Sequence, residues 1–81
     1  MVAVSRDRLR LGLVGYGNGG RHFHAPYIVA APGCELAAIV VRDRGRRAAA
    51  AADHPGVPCF GSLGELLAAG VVDAVTITTP P

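Results

Sequence analysis

The chain has 81 residues, half of them hydrophobic but only four aromatic (two Tyr, two Phe), with a formal net charge of +2. The length limits it to one small domain or a piece of a larger one, and a core drawn from Val, Ile, Leu and Ala suits helices packed on parallel strands. So small a charge argues against nucleic acid or an anionic membrane as the main partner. No stretch approaches the ~20 apolar residues needed to cross a bilayer.

In chain order, residues 1–8 (MVAVSRDR) read as a flexible leader. LRLGLVG (9–15) is a short apolar run that ends in glycine and predicts a buried strand. A cluster of glycines follows. RHFHAPYIVAA (21–31) predicts a helix with Pro26 inside it, where the missing N–H bends the helix, and Pro32 and Gly33 stop it. ELAAIVV (35–41), rich in β-branched residues, predicts a second strand covered on both faces.

RGRRAAAAAD (44–53) predicts a helix, because alanine and arginine are strong helix formers, and His54-Pro55-Gly56 ends it. VPCF (57–60) is a short third strand whose proline suits a sheet edge. Ser62 and Glu65 stand at capping-box spacing, opening a helix that closes at Gly70. DAVTITT (73–79) is the fourth strand, ended by Pro80 and Pro81.

Strands alternating with helices in short units predict an α/β fold, a doubly wound parallel sheet with right-handed crossovers. Four strands in the order 3-2-1-4 with three helices form an incomplete Rossmann sheet, in which the first and fourth strands are neighbours. Their connections leave on opposite faces, and ligands bind in the crevice beyond the strand C-termini.

That topology gives the glycines a purpose. Gly15-x-Gly17-x-x-Gly20 falls between the first strand and the first helix, the setting of the dinucleotide-binding fingerprint. Gly15 permits the tight turn, Gly17 keeps side-chain atoms from a pyrophosphate, and Gly20 lets the helix pack close to the sheet. The helix start offers amides to the phosphates. Asn18 is placed to cap the helix, and Gly19 adds freedom beyond what the fingerprint requires. Cofactor contacts are therefore expected from Gly15, Tyr16, Gly17, Asn18, Gly19 and Gly20, and from Thr78, Thr79 and Pro80 across the crevice.

The runs GLVGYGNGGRHFHAP, ELAAIVVRD, HPGVPCFGSLGELLA and DAVTITTPP resemble the N-terminal domain of the Gfo/Idh/MocA oxidoreductases over residues 9–81. FHAP after the glycines and TPP after the fourth strand are the most specific pieces. The resemblance implies an NAD(P)-dependent oxidoreductase that acts on sugars, inositols or related alcohols. It also implies a Rossmann domain followed by a larger substrate domain. The family's Glu-Lys-Pro motif and its catalytic His or Asp have no counterpart within these residues. The expectation is thus a truncated fragment with no catalytic residue of its own, its substrate domain absent, the full-length protein being a homo-oligomer.

Along the family pattern the acidic residue that binds the ribose 2′-hydroxyl of NAD falls at Val41, which cannot serve. Arg42 follows, and the resemblance implies NADP there, the guanidinium pairing with the 2′-phosphate. Asp43 is the competing signal for NAD if the strand runs further. Arg44 is a reinforcement, whereas Arg46 and Arg47 read as a solvated helix face. A dinucleotide-sensing regulator of the same fold is the alternative to an enzyme, and a methyltransferase using S-adenosylmethionine is a third reading that FHAP and TPP oppose.

His22 and His24, two apart on a helix, do not share a face, so no metal site is expected. His24, the histidine of FHAP, is expected near the cofactor phosphates or a domain interface. Cys34 and Cys59 read as reduced thiols of a cytoplasmic protein. The outer side of the fourth strand lacks a fifth, an open edge that predicts self-association of the 81 residues alone.

Overall fold

A computed structural model of the chain describes residues 8–17 and 19–78. The leader expected at residues 1–8 lies outside them apart from Arg8, as do Asn18, Thr79 and Pro80. The elements follow one another as β1 (Leu9–Val14), a π-helical turn (Gly19–His24), α1 (Ala25–Ala30), β2 (Cys34–Val40), α2 (Arg44–Asp53), β3 (Cys59–Phe60), α3 (Leu63–Ala69) and β4 (Ala74–Ile77). All strand pairs are parallel and the sheet order is β3-β2-β1-β4, as the alternating pattern predicts.

The sheet is covered on both faces. On one, Leu13, Leu36, Ile39 and Val41 pack with Ala25 and Ile28 of α1 and Ala50 of α2. On the other, Ala38 and Val40 pack with Leu66 of α3, joined by Val14, Val72 and Val75. Leu36 and Ile39, three apart, share a face because the β1–β2 register slips by one residue at Ala37. A one-residue bulge switches which face each side chain meets. Gly12 lies on the α3 face, where an added Cβ would stand 2.8 Å from Leu66 Cδ2, so its bareness lets α3 settle onto β1.

Local signals explain most element ends. Asp43 caps α2 by accepting from the Arg46 N–H at 2.8 Å. Ser62 caps α3 by accepting from the Glu65 N–H at 3.1 Å. The capping box differs in one respect: the Glu65 carboxylate accepts from the Gly61 N–H, one residue before the cap. Gly70 ends α3 in the left-handed region at φ +67°, where glycine is favoured. Pro58 precedes β3, an edge strand of the described sheet, and its carbonyl accepts from the Ile39 N–H.

The first helix departs from expectation. It starts at Gly19 rather than Arg21 and opens with six π-helical residues before Pro26, in the first turn of α1, begins regular α-helix. A proline ring crowds the carbonyl one turn earlier and leaves no N–H to bond it. The π turn lies directly ahead of Pro26, where that crowding would fall.

Candidate functional site

Beyond the C-terminal ends of β1 and β2 the chain builds two loops of opposite character. At the end of β1, Gly15 adopts φ +105°, a conformation costly for any residue with a Cβ, and its N–H donates to the Val40 carbonyl at 2.8 Å. The Arg21 N–H donates to the Gly17 carbonyl at 2.8 Å, closing the turn into the helix. A Cβ on Gly20 would lie 2.4 Å from the Gly15 oxygen, so no side chain is accommodated there. A Cβ on Gly17 would instead point into open space, with the Arg46 guanidinium carbon 3.8 Å away. Gly17 needs no positive φ, so its glycine serves approach from outside rather than backbone freedom. Gly19 has nothing near its missing Cβ, in keeping with a glycine the fingerprint does not require.

Thr78 ties this turn to β4. Its N–H and its hydroxyl both donate to the Val14 carbonyl, at 2.9 and 3.0 Å, and the hydroxyl stands 3.1 Å from where a Gly20 Cβ would be. Its side chain is therefore turned onto β1 rather than into the cleft. Thr79 and Pro80 lie outside the described residues.

The end of β2 is made of side chains. Val41 is buried among the residues under α1 and α2, and its N–H donates to the Phe60 carbonyl. The first exposed residues are Arg42 and Asp43. The strand ends at Val40, earlier than expected, so the extension that would bring Asp43 to the acidic position does not occur. Asp43 is instead the α2 cap. Arg42, Asp43 and Arg46 line a cleft of about 460 Å³ together with Gly15, Val40 and Ser62. Arg46 and Arg47 are both exposed, as residues of a solvated helix face are; Arg46 in addition stands at the glycine turn, and the Arg47 guanidinium donates to the Cys59 carbonyl at 3.0 Å. The sequence signal for Arg46 was present in its position in the first turn of α2, facing whatever lies beyond β1.

Tyr16 takes a different place from the other turn residues. Its ring is 3% exposed and packs in the cluster under α1 and α2, so towards the cleft Tyr16 can present only backbone. Its hydroxyl donates to Asp53 Oδ2 at 2.5 Å, and Arg21 donates to the same carboxylate at 2.8 Å. Burial, followed by the bond to Asp53, pushes the tyrosine pKa up to about 12. The Tyr16 hydroxyl and then Arg21 hold the Asp53 carboxyl below the ordinary carboxylate range.

His22 and His24 are exposed on the π-helical turn, and the described residues contain no group of three metal-ligating side chains. Cys34 and Cys59 are half-buried free thiols: Cys34 opens β2 in register with Leu9 of β1, and Cys59 opens β3 in register with Ile39 of β2. Among the described residues no helix is long and apolar enough to cross a membrane.

With a glycine turn on β1, an arginine-lined cleft beside it and the 3-2-1-4 sheet beneath, comparison with known proteins is specific. The model of the GFO_IDH_MocA family, described as an oxidoreductase family with an NAD-binding Rossmann fold, matches residues 9–81. The chain belongs to this family. Galactose 1-dehydrogenase of Pseudomonas fluorescens is 42% identical over 74 residues, covering 90% of this chain and 22% of that protein. Inositol 2-dehydrogenase of Corynebacterium glutamicum (strain ATCC 13032) is 39% identical over 72 residues, covering 89% and 21%. A crystal structure from Klebsiella pneumoniae, provisionally described as an oxidoreductase, superposes with a TM-score of 0.80 at 34% identity, over 91% of this chain and 21% of that one. This Gfo/Idh/MocA chain therefore spans about a fifth of the length of the curated relatives it matches, and it carries their NAD-binding Rossmann fold.

Proposed function

We propose that the chain is the cofactor-holding part of a dehydrogenase that moves hydride between NADP and a sugar, inositol or related alcohol. The described residues fit a dinucleotide. The turn at residues 15–20 offers bare backbone where a Cβ on Gly17 would intrude, and the adjoining cleft is lined by cationic side chains. In this reading Gly15, Gly17, Gly19 and Gly20, with the backbone of Tyr16, receive the pyrophosphate, and Asn18, Thr78, Thr79 and Pro80 border it. When bound, the nicotinamide ring supplies or accepts the hydride. The chain's own residues hold and orient the adenosine and phosphate end.

The observation that carries the reading is the approach of Arg46 to Gly17, which brings a guanidinium from α2 to the bare turn of β1. Arg42, on the same cleft, adds a second cation. Two guanidiniums suit the dianionic 2′-phosphate of NADP, and Asp43, with one oxygen engaged by the Arg46 N–H, is committed to the helix cap. Sugars and inositols are proposed as substrates because two relatives are named for galactose and inositol. Calorimetric titration with NADP and NAD tests the reading. Tighter binding of NADP is expected, tighter binding of NAD would transfer the role to Asp43, and binding of neither would refute it.

A further inference from the structure

We propose that Asp53, at the C-terminal end of α2, is a positioning residue for the glycine turn. Its single carboxylate grips Tyr16, which precedes Gly17, and Arg21, which follows Gly20, and so sets the backbone of those two glycines before a dinucleotide arrives. The effect on cofactor affinity rests on the dinucleotide reading above, whereas the hold on the turn does not.

The turn is tied by the Gly15 N–H to the Val40 carbonyl and by the Arg21 N–H to the Gly17 carbonyl, but the outward side of its glycines is unpacked: an added Cβ would meet nothing at Gly19 and only the Arg46 guanidinium at Gly17. Glycines left free lose more conformational entropy when a ligand fixes them than other residues do. Two anchors limit that freedom. On the N-terminal side, the Tyr16 ring is wedged among Leu13, Ala25, Ile28 and Ala50 and meets His54 edge-on at 6.0 Å. A part-buried hydroxyl needs a partner, and Asp53 Oδ2 is the acceptor. On the C-terminal side, Arg21 donates through Nε to Oδ2 and through Nη2 to Oδ1, at 2.8 and 3.4 Å.

The carboxylate thus accepts three bonds with two oxygens, a task an amide cannot repeat because it has one acceptor oxygen. Asp53 lies 37 residues from Tyr16 and 32 from Arg21. Through it, α2 reaches the cradle at both ends: its first turn sends Arg46 to Gly17, and its last residue fixes the two sides of the same loop.

The test uses Asp53→Asn, Tyr16→Phe and Arg21→Gln, with amide hydrogen exchange of residues 15–21 measured without ligand and dissociation constants measured for NADP and NAD. The expected result is turn exchange about tenfold faster while β2 is unchanged, with affinity for both cofactors falling about fivefold to tenfold. The ratio of the two affinities should stay that of the parent. Asp53→Asn combined with Tyr16→Phe should be no worse than the worse single variant, since both act through one contact. A lower melting temperature with cofactor affinity within twofold of the parent would overturn the proposal, whatever the exchange shows. If the parent binds no dinucleotide, the functional reading fails and exchange at the turn alone decides: faster supports the clamp, unchanged refutes it. If Asp53→Asn does not fold, the exposed Arg21→Gln carries the same two outcomes.

Discussion

The loops after β1 and β2 stand side by side and are specified in opposite ways. After β1 the chain succeeds by having no side chains: Gly20 has no room for a methyl group, and Gly17 has room that a side chain would take from a ligand. After β2 it succeeds by having large charged ones, Arg42 and Arg46, on the wall of the same cleft. Adding atoms should therefore damage the first loop, and removing atoms the second. On the reading proposed above, the first loop governs whether any dinucleotide is held and the second governs which one.

The largest effect is expected at Gly20. In Gly20→Ala the new methyl would sit against the Gly15 carbonyl, which is backbone and cannot swing aside. Thermal or denaturant unfolding should show a loss of about 1–3 kcal/mol or more, the scale of an overpacked core, and an unchanged midpoint would mean that turn and helix pack more loosely than described. Gly17→Val comes next and separates binding from folding. Its Cβ meets only a flexible guanidinium, so the melting temperature should stay near the parent's, while both cofactors lose measurable binding in calorimetry.

On the second loop the expected losses are smaller and selective. Arg42→Ala and Arg46→Ala should each weaken NADP by about 1.5–3 kcal/mol, the scale of a hydrogen bond to a charged group, and leave NAD nearly unchanged. Equal losses for both cofactors would erase the contrast between the loops.

Tyr16 and Asp53 give the first loop a pH dependence. Tyr16 has a folded pKa of about 12 against an ordinary 10.0. A raised pKa means that its contribution to stability is complete below pH 10 and is lost as the pH climbs towards 12. Tyrosinate absorbance should show a late step in that window, which Tyr16→Phe removes. For Asp53 the sign is opposite: its depressed pKa contributes stability above the ordinary carboxylate range that is lost in acid. The smallest effect is Gly19→Ala. With open space at the Cβ, it should stabilise by about 0.4–1 kcal/mol, by restricting the unfolded chain.

How legible these features were in the sequence follows from how local their causes are. Helix α2 matches its expected limits of 44–53 because alanine propensity and the Asp43 cap act within a few residues of themselves. The parallel sheet follows from alternation and crossover handedness, and the order 3-2-1-4, one of the two common doubly wound orders, is the one that accompanies the glycine fingerprint. The glycine fingerprint was readable because each glycine answers a steric demand set by its neighbours.

What escaped depended on approach between distant segments. Arg46 at Gly17, Tyr16 on Asp53 and Arg47 on the Cys59 carbonyl join residues that no spacing rule connects. The π-helical start lies directly ahead of Pro26, but its form depends on how the turn leaves β1. The end of β2 was placed one residue late because Val41 looks like a strand residue. It continues the apolar run as a buried core residue, although the strand itself stops at Val40.

The most direct test of the division between the loops is a crossed titration, with NADP and NAD each measured against the parent, Gly17→Val and the double variant Arg42→Ala with Arg46→Ala. Gly17→Val is expected to lose both cofactors while the double variant keeps NAD at parental affinity and loses its preference for NADP. Retained binding of either cofactor by Gly17→Val, or parallel loss of both by the arginine variant, would contradict that division.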